Sequence, residues 1–253
     1  MPVGIHGLGG NPAEPIPLPF LTLRPNYLVL YSRMPTPDSL TPEEFDTHLA
    51  ARDFRLAFVG MSNAGKSYRS RTLSKESGFL WYHVDEEIQR TLGFADMSTI
   101  SHWLGYPSSA SYREREQEYL ELEDRFTRNA SMHTGGKNLV FDTTGSVVHL
   151  TPDTLAVLRE NCLVVNLDVG EGSLKEMTER FFREPKPVAW CGYYEAQEGD
   201  ATDSALRRSY PALLAERLGR YRKLAHISIP AEAMRNASAK ETLELIRKHV
   251  GSA

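Results

Sequence analysis

The sequence predicts an α/β fold in which a parallel β-sheet is covered by helices on both faces, and three observations point to it. From residue 54 onward, predicted strands alternate with predicted helices. The strands are short apolar runs without polar alternation, which is typical of a parallel sheet buried on both faces. The segment Gly60–Ser67 follows the first strand, precedes a helix and fits the phosphate-binding loop pattern G-x-x-x-x-G-K-[ST]. Together these features predict the fold of the P-loop NTPases.

The composition limits the classes of function. Of 253 residues, 41% are hydrophobic, and the net charge of -4 offers no basic excess for binding nucleic acid. The two cysteines, Cys162 and Cys191, lie far apart, which indicates a reducing compartment and no cysteine metal site. Neither a membrane-spanning run nor a secretory signal is visible, so we expect a cytoplasmic protein without a membrane partner. The composition does not predict an oligomeric state.

Residues 1–53 are predicted to be a proline-rich extension, separate from a P-loop domain at residues 54–253. The first 40 residues contain eight prolines and four glycines, which disfavour continuous regular structure. Within them, Tyr27–Tyr31 is a possible short strand and Met34 a possible alternative start. Thr41-Pro42-Glu43-Glu44 has the residues of a helix N-terminus, and we expect a short helix to run to about Ala51.

The P-loop domain is predicted to contain five strands, separated by helices. The strands are Arg55–Val59, Leu80–Val84, Leu139–Phe141, Leu163–Leu167 and Ile227–Ile229. The clearest helices are Ser111–Arg128, Pro152–Arg159, Leu174–Phe182, Ala205–Leu224 and Lys240–Val250. The segment at about 183–203 is rich in proline, glycine and acids, and a loop of that length in a compact domain is usually functional or disordered.

The phosphate-binding loop predicts a nucleotide site. Its backbone N–H groups and the positive end of the following helix form a concave site for phosphate. Lys66 would contact the outer phosphates, and the Ser67 hydroxyl would ligate Mg²⁺. Asn63 stands where glycine is common, and asparagine tolerates a positive φ better than most residues. The predicted nucleotide-binding residues of this segment are Gly60, Ser62, Asn63, Ala64, Gly65, Lys66, Ser67 and Tyr68.

Two acids are predicted near the phosphates, because ligands of an open parallel sheet collect at the carboxyl ends of its strands. Asp85 follows the second strand and could orient or deprotonate an acceptor hydroxyl, or it could simply cap a helix. Asp142 closes the third strand and could hold Mg²⁺, or it could serve as a turn or cap residue. By residue pattern alone, Arg113 is expected on the solvated face of a highly charged helix, and Arg217, on a helix with apolar neighbours, is also expected at the surface, as is usual for arginine.

From Phe58 to Ile229 the chain resembles the shikimate kinase-like members of the small-molecule P-loop kinases. Gly60–Leu73 is similar to the family's G-x-x-G-x-G-K-S-x-x-G-R-x-L, and Val84–Ile88 to the second half of its D-T-D-x-x-I. Tyr112–Glu116 resembles F-R-x-x-E. Two further matches are Arg217 with Tyr221 and Ala225, similar to R-x-x-x-Y-x-x-x-A, and Lys186-Pro187-Val188, similar to the R-P-L-L of a mobile lid.

The resemblance implies roles for these residues. Asp85 would contact the acceptor hydroxyls, and Arg113 and Arg217 would bind the carboxylate of the acceptor. Arg180 or Arg183, on a lid at about 183–203, would approach the phosphates of ATP when the site closes. Gly145 would lie in the glycine segment that approaches the substrate ring.

The sequence also departs from the family pattern. His83 replaces the first acid of D-T-D, which helps to hold Mg²⁺, and Asp142 could compensate. Thr143-Thr144-Gly145 replaces three glycines, so two β-branched residues are expected to fill space in the acceptor pocket. Trp190, Tyr193 and Tyr194 could line or cover a pocket, or pack against the body of the protein.

The predicted function is ATP-dependent, Mg²⁺-assisted transfer of a phosphoryl group to a hydroxyl of a small anionic metabolite, with Lys66 and Asp85 as catalytic residues. A kinase for another acceptor, such as a sugar acid, nucleoside or nucleotide, is the nearest alternative. A nucleotide-binding protein without transfer activity and a P-loop NTPase acting on water or a protein are two further alternatives.

Overall fold

The computed structural model describes residues 39–132, 136–184 and 186–251, all of which belong to one compact unit spanning residues 33–253. The possible strand Tyr27–Tyr31 and the possible start Met34 lie outside the described residues. Within the described residues, none of the helices combines the length and the apolar character needed to cross a membrane.

Nine α-helices and five strands form in the described part of the chain. The strands are β1 (Arg55–Val59), β2 (Leu80–His83), β3 (Leu139–Asp142), β4 (Leu163–Asp168) and β5 (Ile227–Pro230). The helices are α1 (Pro42–Ala51), α2 (Lys66–Ser77), α3 (Val84–Leu92), α4 (Met97–Leu104), α5 (Tyr112–Ser131), α6 (Pro152–Asn161), α7 (Leu174–Arg183), α8 (Thr202–Leu224) and α9 (Ala239–His249). The described residues between α7 and α8 contain no helix or strand.

The five strands form one parallel sheet in the order β2-β3-β1-β4-β5, which confirms the predicted fold class. Because all strands are parallel, their carboxyl ends lie at one edge of the sheet. The register at that edge is specific: Asp142 of β3 pairs with Phe58 of β1 on one side and with His83 of β2 on the other. This edge therefore brings together the residues that follow β1, β2 and β3.

The sheet is buried on both faces. In β1, Leu56 and Phe58 pack with α1, α2 and α9, while Ala57 and Val59 pack with the cluster formed by α3 to α6 and α8. All four side chains are fully buried. The apolar strand runs reflect this two-sided burial, since a strand with one wet face would alternate apolar and polar residues.

The helix at Thr41 begins where the sequence predicts. The Thr41 side chain accepts a hydrogen bond of 3.2 Å from the N–H of Glu44, and the Glu44 carboxylate accepts one of 2.8 Å from the N–H of Thr41. Phe45 of α1 is buried and packs edge-to-face on Phe54, at 4.8 Å between ring centroids. Residues 41–54 thus pack into the same core as the sheet, and the division at residue 53 stays a prediction.

Two helices, α3 and α4, were not among the helices that the sequence predicted most clearly. The prediction placed Val84 at the end of a strand, but it is the first residue of α3, which follows β2 without a loop. The eight residues of α4 include serine, threonine and isoleucine, which are weak helix formers. The Asp96 side chain caps α4 by accepting a 2.7 Å hydrogen bond from the N–H of Thr99. Capping and packing, rather than propensity, thus form this helix.

Candidate active site

The phosphate-binding loop has the backbone geometry that its sequence requires. Gly60 has a φ of 133°, and a Cβ at this position would lie 2.9 Å from the backbone oxygen of Leu167. Gly65 has a φ of 100° and is the N-cap of α2, while Asn63 adopts a φ of 66°. The loop therefore ends at the N-terminus of α2, where backbone N–H groups and the positive end of the helix dipole favour the binding of phosphate.

Lys66 lies under the loop and is only 7% exposed. Its Nζ donates hydrogen bonds of 2.7 Å and 2.9 Å to the backbone oxygens of Gly60 and Met61. Burial lowers the pKa of Lys66 to about 8, although the negative charges of Asp85 and Asp142 favour its protonated form. A buried cation held by carbonyl groups is well placed for an anionic ligand on the loop.

Asp142 is buried and accepts hydrogen bonds from two neighbouring elements. Its Oδ2 lies 2.5 Å from Ser67 Oγ and 3.1 Å from His83 Nε2, and its Oδ1 accepts a 2.5 Å hydrogen bond from Trp81 Nε1. Burial would raise the pKa of Asp142, but these donors and the charge of His83 hold it below its ordinary value. Asp142 is therefore ionised at neutral pH.

His83 forms an ion pair with this carboxylate. Burial acts to lower the pKa of His83, but the hydrogen bond and charge of Asp142, together with Asp85 and Glu86, raise it to about 9. The sequence placed His83 where the family has an acid, and the structure makes it a cationic partner of Asp142. A histidinium cannot ligate a metal through the protonated nitrogen, so any ligand role at this edge passes to Asp142.

The neighbouring oxygens of Ser67 and Asp142 fit a magnesium ion. Mg²⁺ prefers oxygen ligands, and it commonly uses one or two protein ligands plus water and substrate phosphates. In the described ranges, no group of three or more His, Cys, Asp and Glu side chains could hold a metal ion. The donor set therefore suits an ion that is completed by a nucleotide rather than a metal site made of protein alone.

Two cavities meet at the phosphate loop. The first, which we call the Asp85 cavity, has a volume of about 620 Å³. The predicted site residues that line it are Ser62, Asn63, Gly65, Lys66, Ser67, Tyr68, Asp85, Gly145, Arg180 and Arg217. The second, which we call the Arg222 cavity, measures about 790 Å³ and shares Asn63, Gly65 and Tyr68 with the first. Each cavity thus opens onto the same phosphate-binding loop.

The Arg222 cavity was not predicted from the sequence. It is lined by Ala64 of the loop and by the ends of β4 and β5 with the residues that follow them. Arg222 is fixed at its edge by a 2.7 Å ion pair with Asp168 and a 3.2 Å ion pair with Glu171. The lining residues outside the loop are distant from it in sequence and match no motif, so only the fold brings them together.

Asp85 lies in the first turn of α3 and lines the Asp85 cavity beside the loop lysine. It is not the helix cap, because His83 is the N-cap residue of α3. Asp85 Oδ1 accepts a 3.4 Å hydrogen bond from the hydroxyl of Tyr119 on α5. Burial raises the pKa of Asp85, while the charges of His83 and Lys66 act to lower it. This setting increases the basicity of the carboxylate.

Arg217 is a further charged residue that lines the Asp85 cavity, and its side chain is only 4% exposed. Its Nη2 donates a 2.6 Å hydrogen bond to the backbone oxygen of Ala189, and its Nε lies 3.3 Å from His149 Nε2. Its Nη1 would lie 3.6 Å from a Cβ placed on Gly145. Two sides of the guanidinium are thus held by protein, and Nη1 lies next to Gly145 at the cavity wall.

The structure does not bring Arg113 to this cavity. Arg113 is exposed on α5 and lines a separate groove with Glu116, Leu120 and His149. The inward positions of this helix turn are taken by Tyr112 and Glu116. The N–H of Trp190 donates a 2.8 Å hydrogen bond to Tyr112 Oη, and that of Cys191 donates one of 2.9 Å to Glu116.

The three cations near the end of α7 lie at different places. Arg180 lines the Asp85 cavity, is half-exposed and lies 3.6 Å from Glu184. Arg183 is exposed and does not line either cavity. Lys186 was predicted only as part of the lid motif and was given no role of its own. It lines the Asp85 cavity and donates a 2.6 Å hydrogen bond to Asn63 Oδ1.

The aromatic residues after Lys186 pack against the body of the protein. Trp190 is 1% exposed, with its ring 5.6 Å from that of Tyr210 and 6.5 Å from that of Phe181. The ring centroids of Tyr193 and His149 lie 6.1 Å apart, and neither Tyr193 nor Tyr194 lines either cavity. The sequence left open whether these residues line a pocket or pack against the body of the protein, and in the structure they pack against the body.

The threonines that replace the family's glycines occupy less of the cavity than the sequence suggested. Thr143 lines the Asp85 cavity, but its hydroxyl donates a 3.1 Å hydrogen bond to the backbone oxygen of Phe58. The Thr144 side chain turns the other way and donates a hydrogen bond to buried Glu123 of α5. Thus only one of the two β-branched residues lines the cavity.

A phosphate-binding loop between two cavities, one of which presents a carboxylate beside the loop lysine, is the arrangement of a P-loop kinase that takes a nucleotide and a separate acceptor. A family model described as "Shikimate kinase" matches residues 62–247, well over half of the chain. The chain belongs to the shikimate kinase family and is an ATP-dependent kinase that transfers a phosphoryl group to a small acceptor. No curated protein matches the sequence significantly.

Solved structures share the fold. A shikimate kinase from Acinetobacter baumannii in complex with shikimate has 20% sequence identity and a TM-score of 0.54, over 81% of this chain and 97% of that chain. A shikimate kinase from Bacteroides thetaiotaomicron has 15% identity and a TM-score of 0.53, over 77% of this chain and 97% of that one. At these identities the likeness speaks for the fold alone.

Proposed function

We propose that the enzyme transfers the γ-phosphoryl group of ATP to a hydroxyl of a small anionic metabolite bound in the Asp85 cavity. The observation that carries this proposal is that Lys66, Asp85 and Arg217 line one cavity at the end of the phosphate loop. A cation for the phosphates, a carboxylate for the hydroxyl and a cation for the anionic group are the elements that such a transfer needs.

In this proposal the two cavities divide the substrates. The base and sugar of ATP occupy the Arg222 cavity, and the phosphates extend along the loop past Gly65 to the Asp85 cavity. Ser67 and Asp142 would hold Mg²⁺, which would neutralise charge on the outer phosphates. Lys66 leaves the carbonyl oxygens of Gly60 and Met61 and contacts the transferring group, where charge develops in the transition state.

Asp85 and Arg217 act on the acceptor. The Asp85 carboxylate accepts the hydrogen bond of the attacking hydroxyl and takes its proton as the new bond to the γ-phosphorus forms and the bond from that phosphorus to the bridging oxygen breaks, which releases ADP. Its raised pKa suits this role, because a more basic carboxylate has a greater tendency to accept a proton. Arg217 pairs with the anionic group through Nη1, which lies next to Gly145 at the cavity wall, and orients the hydroxyl toward the loop.

Shikimate is the first acceptor to consider, since the Acinetobacter baumannii structure is a complex with shikimate. A different small acid is the second candidate, and the exposed position of Arg113 favours it. With Arg113 outside the cavity, only one of the two arginines that the family motifs assign to the acceptor carboxylate, Arg217, lines the cavity, and Thr143 reduces the space beside the loop. A cytoplasmic location belongs to the same proposal.

The test is ATP consumption by the purified protein with Mg²⁺, without acceptor and with shikimate, other small hydroxy acids and a nucleoside panel. We expect one hydroxy acid to stimulate turnover. Asp85→Asn should reduce that stimulated kcat by about 10²-fold or more, while equilibrium binding of ATP is retained. Lys66→Ala should abolish turnover. Hydrolysis that no acceptor stimulates would instead indicate a P-loop NTPase, and ATP binding without turnover would indicate a regulatory protein.

A further inference from the structure

Glu123 is a buried carboxylate to which the proposed reaction assigns no role. It lies on α5, is 0% exposed and faces the segment that follows β3. Its Oε1 accepts a hydrogen bond from the Thr144 hydroxyl, and its Oε2 accepts one of 2.5 Å from the Ser146 hydroxyl. The Ser146 N–H donates a 3.1 Å hydrogen bond to Thr144 Oγ1. Both carboxylate oxygens are thus bonded to the two residues that flank Gly145.

Gly145 is closely packed between the phosphate loop, Arg217 and Tyr221. A Cβ at this position would lie 3.0 Å from Ser62 Oγ of the phosphate loop and 3.6 Å from Arg217 Nη1. From the other side, the hydroxyl of Tyr221 on α8 donates a hydrogen bond to the Gly145 carbonyl oxygen. Glu123 and Tyr221 therefore hold the segment from two helices, and a small displacement of it would alter the wall of the Asp85 cavity.

From this arrangement we infer that Glu123 is a positioning residue, which holds Thr144 and Ser146 so that Gly145 and Ser146 face the acceptor beside Arg217. The inference rests on the proposed function for its effect on acceptor binding. Glu123 does not line the cavity, so it acts through the segment 144–146 and not by contact with substrate. Misplacement of binding groups by about 1 Å can cost orders of magnitude in rate.

The carboxylate must be ionised to serve both hydroxyl groups. An ionised carboxylate only accepts hydrogen bonds, whereas a protonated one presents an O–H donor to one of the two hydroxyls and disturbs that pairing. Burial raises the pKa of Glu123 to about 7, while the Ser146 and Thr144 hydroxyls act to lower it. The titratable and charged groups that face Glu123 are Tyr119 on α5, Asp85 on α3, Arg217 and Tyr221 on α8, and Cys191.

Acceptor binding should therefore weaken as the pH falls through about 7. Glu123→Gln removes the titration and replaces one acceptor oxygen by an NH₂ donor. We expect it to raise the KM of the acceptor about tenfold at pH near 8, change the KM of ATP less than about twofold, and abolish the wild-type fall in acceptor kcat/KM between about pH 8 and 6. Glu118→Gln, on the exposed face of α5, is the matched control and should behave as wild type.

A pair of Thr144 variants tests the same contact if the Glu123→Gln protein does not fold. Thr144→Val removes the hydroxyl that Glu123 binds and keeps the shape, whereas Thr144→Ser keeps the hydroxyl. The valine variant should raise the acceptor KM and the serine variant should restore it. Equal changes in the KM of acceptor and ATP, or an unchanged pH profile in Glu123→Gln, would overturn the inference in favour of a purely structural role.

One measurement does not depend on the reaction. The backbone amide NMR signals of Gly145 and Ser146 should shift with pH in the wild type, with a midpoint near 7, and lose this transition in Glu123→Gln. If the signals titrate but no acceptor supports turnover, the proposed function fails and the coupling of Glu123 to the segment stands. If they show no transition, the coupling itself is refuted.

Discussion

The Lys186 Nζ donates a 2.6 Å hydrogen bond to the Asn63 side chain, which connects the segment after α7 to the phosphate-binding loop. The Asn63 backbone is in the left-handed region, with a φ of 66°, and its side chain is exposed at the turn of the loop. Lys186 also lines the Asp85 cavity. A cation at this position lies where the outer phosphates of a bound nucleotide are proposed to pass.

We predict that Lys186→Ala lowers kcat/KM for ATP by about tenfold or more, because a charge-assisted contact to phosphate is lost. Lys186→Arg should keep most of the activity. Lys175→Ala, on the exposed surface of α7, removes a lysine of the same region and serves as the control. Equal kinetics for the Lys186 and Lys175 variants would show that Lys186 has no role at the phosphates.

The two arginines of the family motifs should differ sharply in their effect on the acceptor. Arg217 is buried at the Asp85 cavity, whereas Arg113 is exposed in a separate groove. We predict that Arg217→Lys raises the KM of the acceptor about tenfold or more, since lysine cannot reproduce the two-sided hydrogen bonding of the guanidinium. Arg113→Ala should leave the KM within about twofold of wild type. The comparison uses steady-state kinetics with acceptor and ATP varied separately, and a larger effect from Arg113 would return that residue to the site.

Gly145→Ala tests the space beside Arg217. The added Cβ would lie 3.0 Å from Ser62 Oγ, closer than ordinary packing, so the Ser62 side chain or the segment 144–146 must move by a few tenths of an ångström. We predict an increase of about tenfold in the KM of the acceptor with a smaller effect on ATP. The control is Gly219→Ala on α8, where no atom other than those of its chain neighbours and the backbone of its own helix lies within 4 Å of the added Cβ. If both variants bind the acceptor like wild type, Gly145 is not at the acceptor wall.

The sequence predicted the parallel sheet and the phosphate loop because both depend on local patterns. The five predicted strands are present, and their ends differ from the prediction by one residue at most. The loop motif fixes backbone geometry through Gly60 and Gly65, whose positive φ values other residues adopt only with strain. Such features can be read from neighbouring residues without knowing the tertiary structure.

The walls of the cavities could not be predicted in the same way. Tyr119 and Glu123 lie one turn apart on a helix so rich in charge that its inward face is hard to recognise, and both are buried. Arg113 occupies the arginine position of the F-R-x-x-E motif, but the side of α5 that faces the site is decided by the packing of Trp190 and Cys191 on this helix. Contacts of that kind join residues about 75 positions apart.

The acid stability of the fold gives a test that needs no substrate. Burial and the positive charges of Arg217 and Arg220 lower the pKa of His149 to about 4. In the unfolded chain the histidine binds a proton below about pH 6.5, while in the folded chain it stays neutral until about pH 4. The unfolded state therefore binds more protons in this window, and the free energy of unfolding falls as the pH decreases from about 6.5 to 4.

We predict that His149→Gln reduces this fall by on the order of 1 kcal/mol, a figure lowered to allow for the partial exposure of the ring. Glutamine can still accept a hydrogen bond from the Arg217 guanidinium, so the loss of titration is separated from the loss of the contact. Urea unfolding at several pH values between about 7.5 and 4.5 measures the slope. His102→Gln, on the exposed surface of α4, is the control for replacing a histidine. Parallel pH profiles for His149→Gln and wild type would mean that His149 takes up its proton equally in both states, and that Arg217 exerts no such charge effect on it.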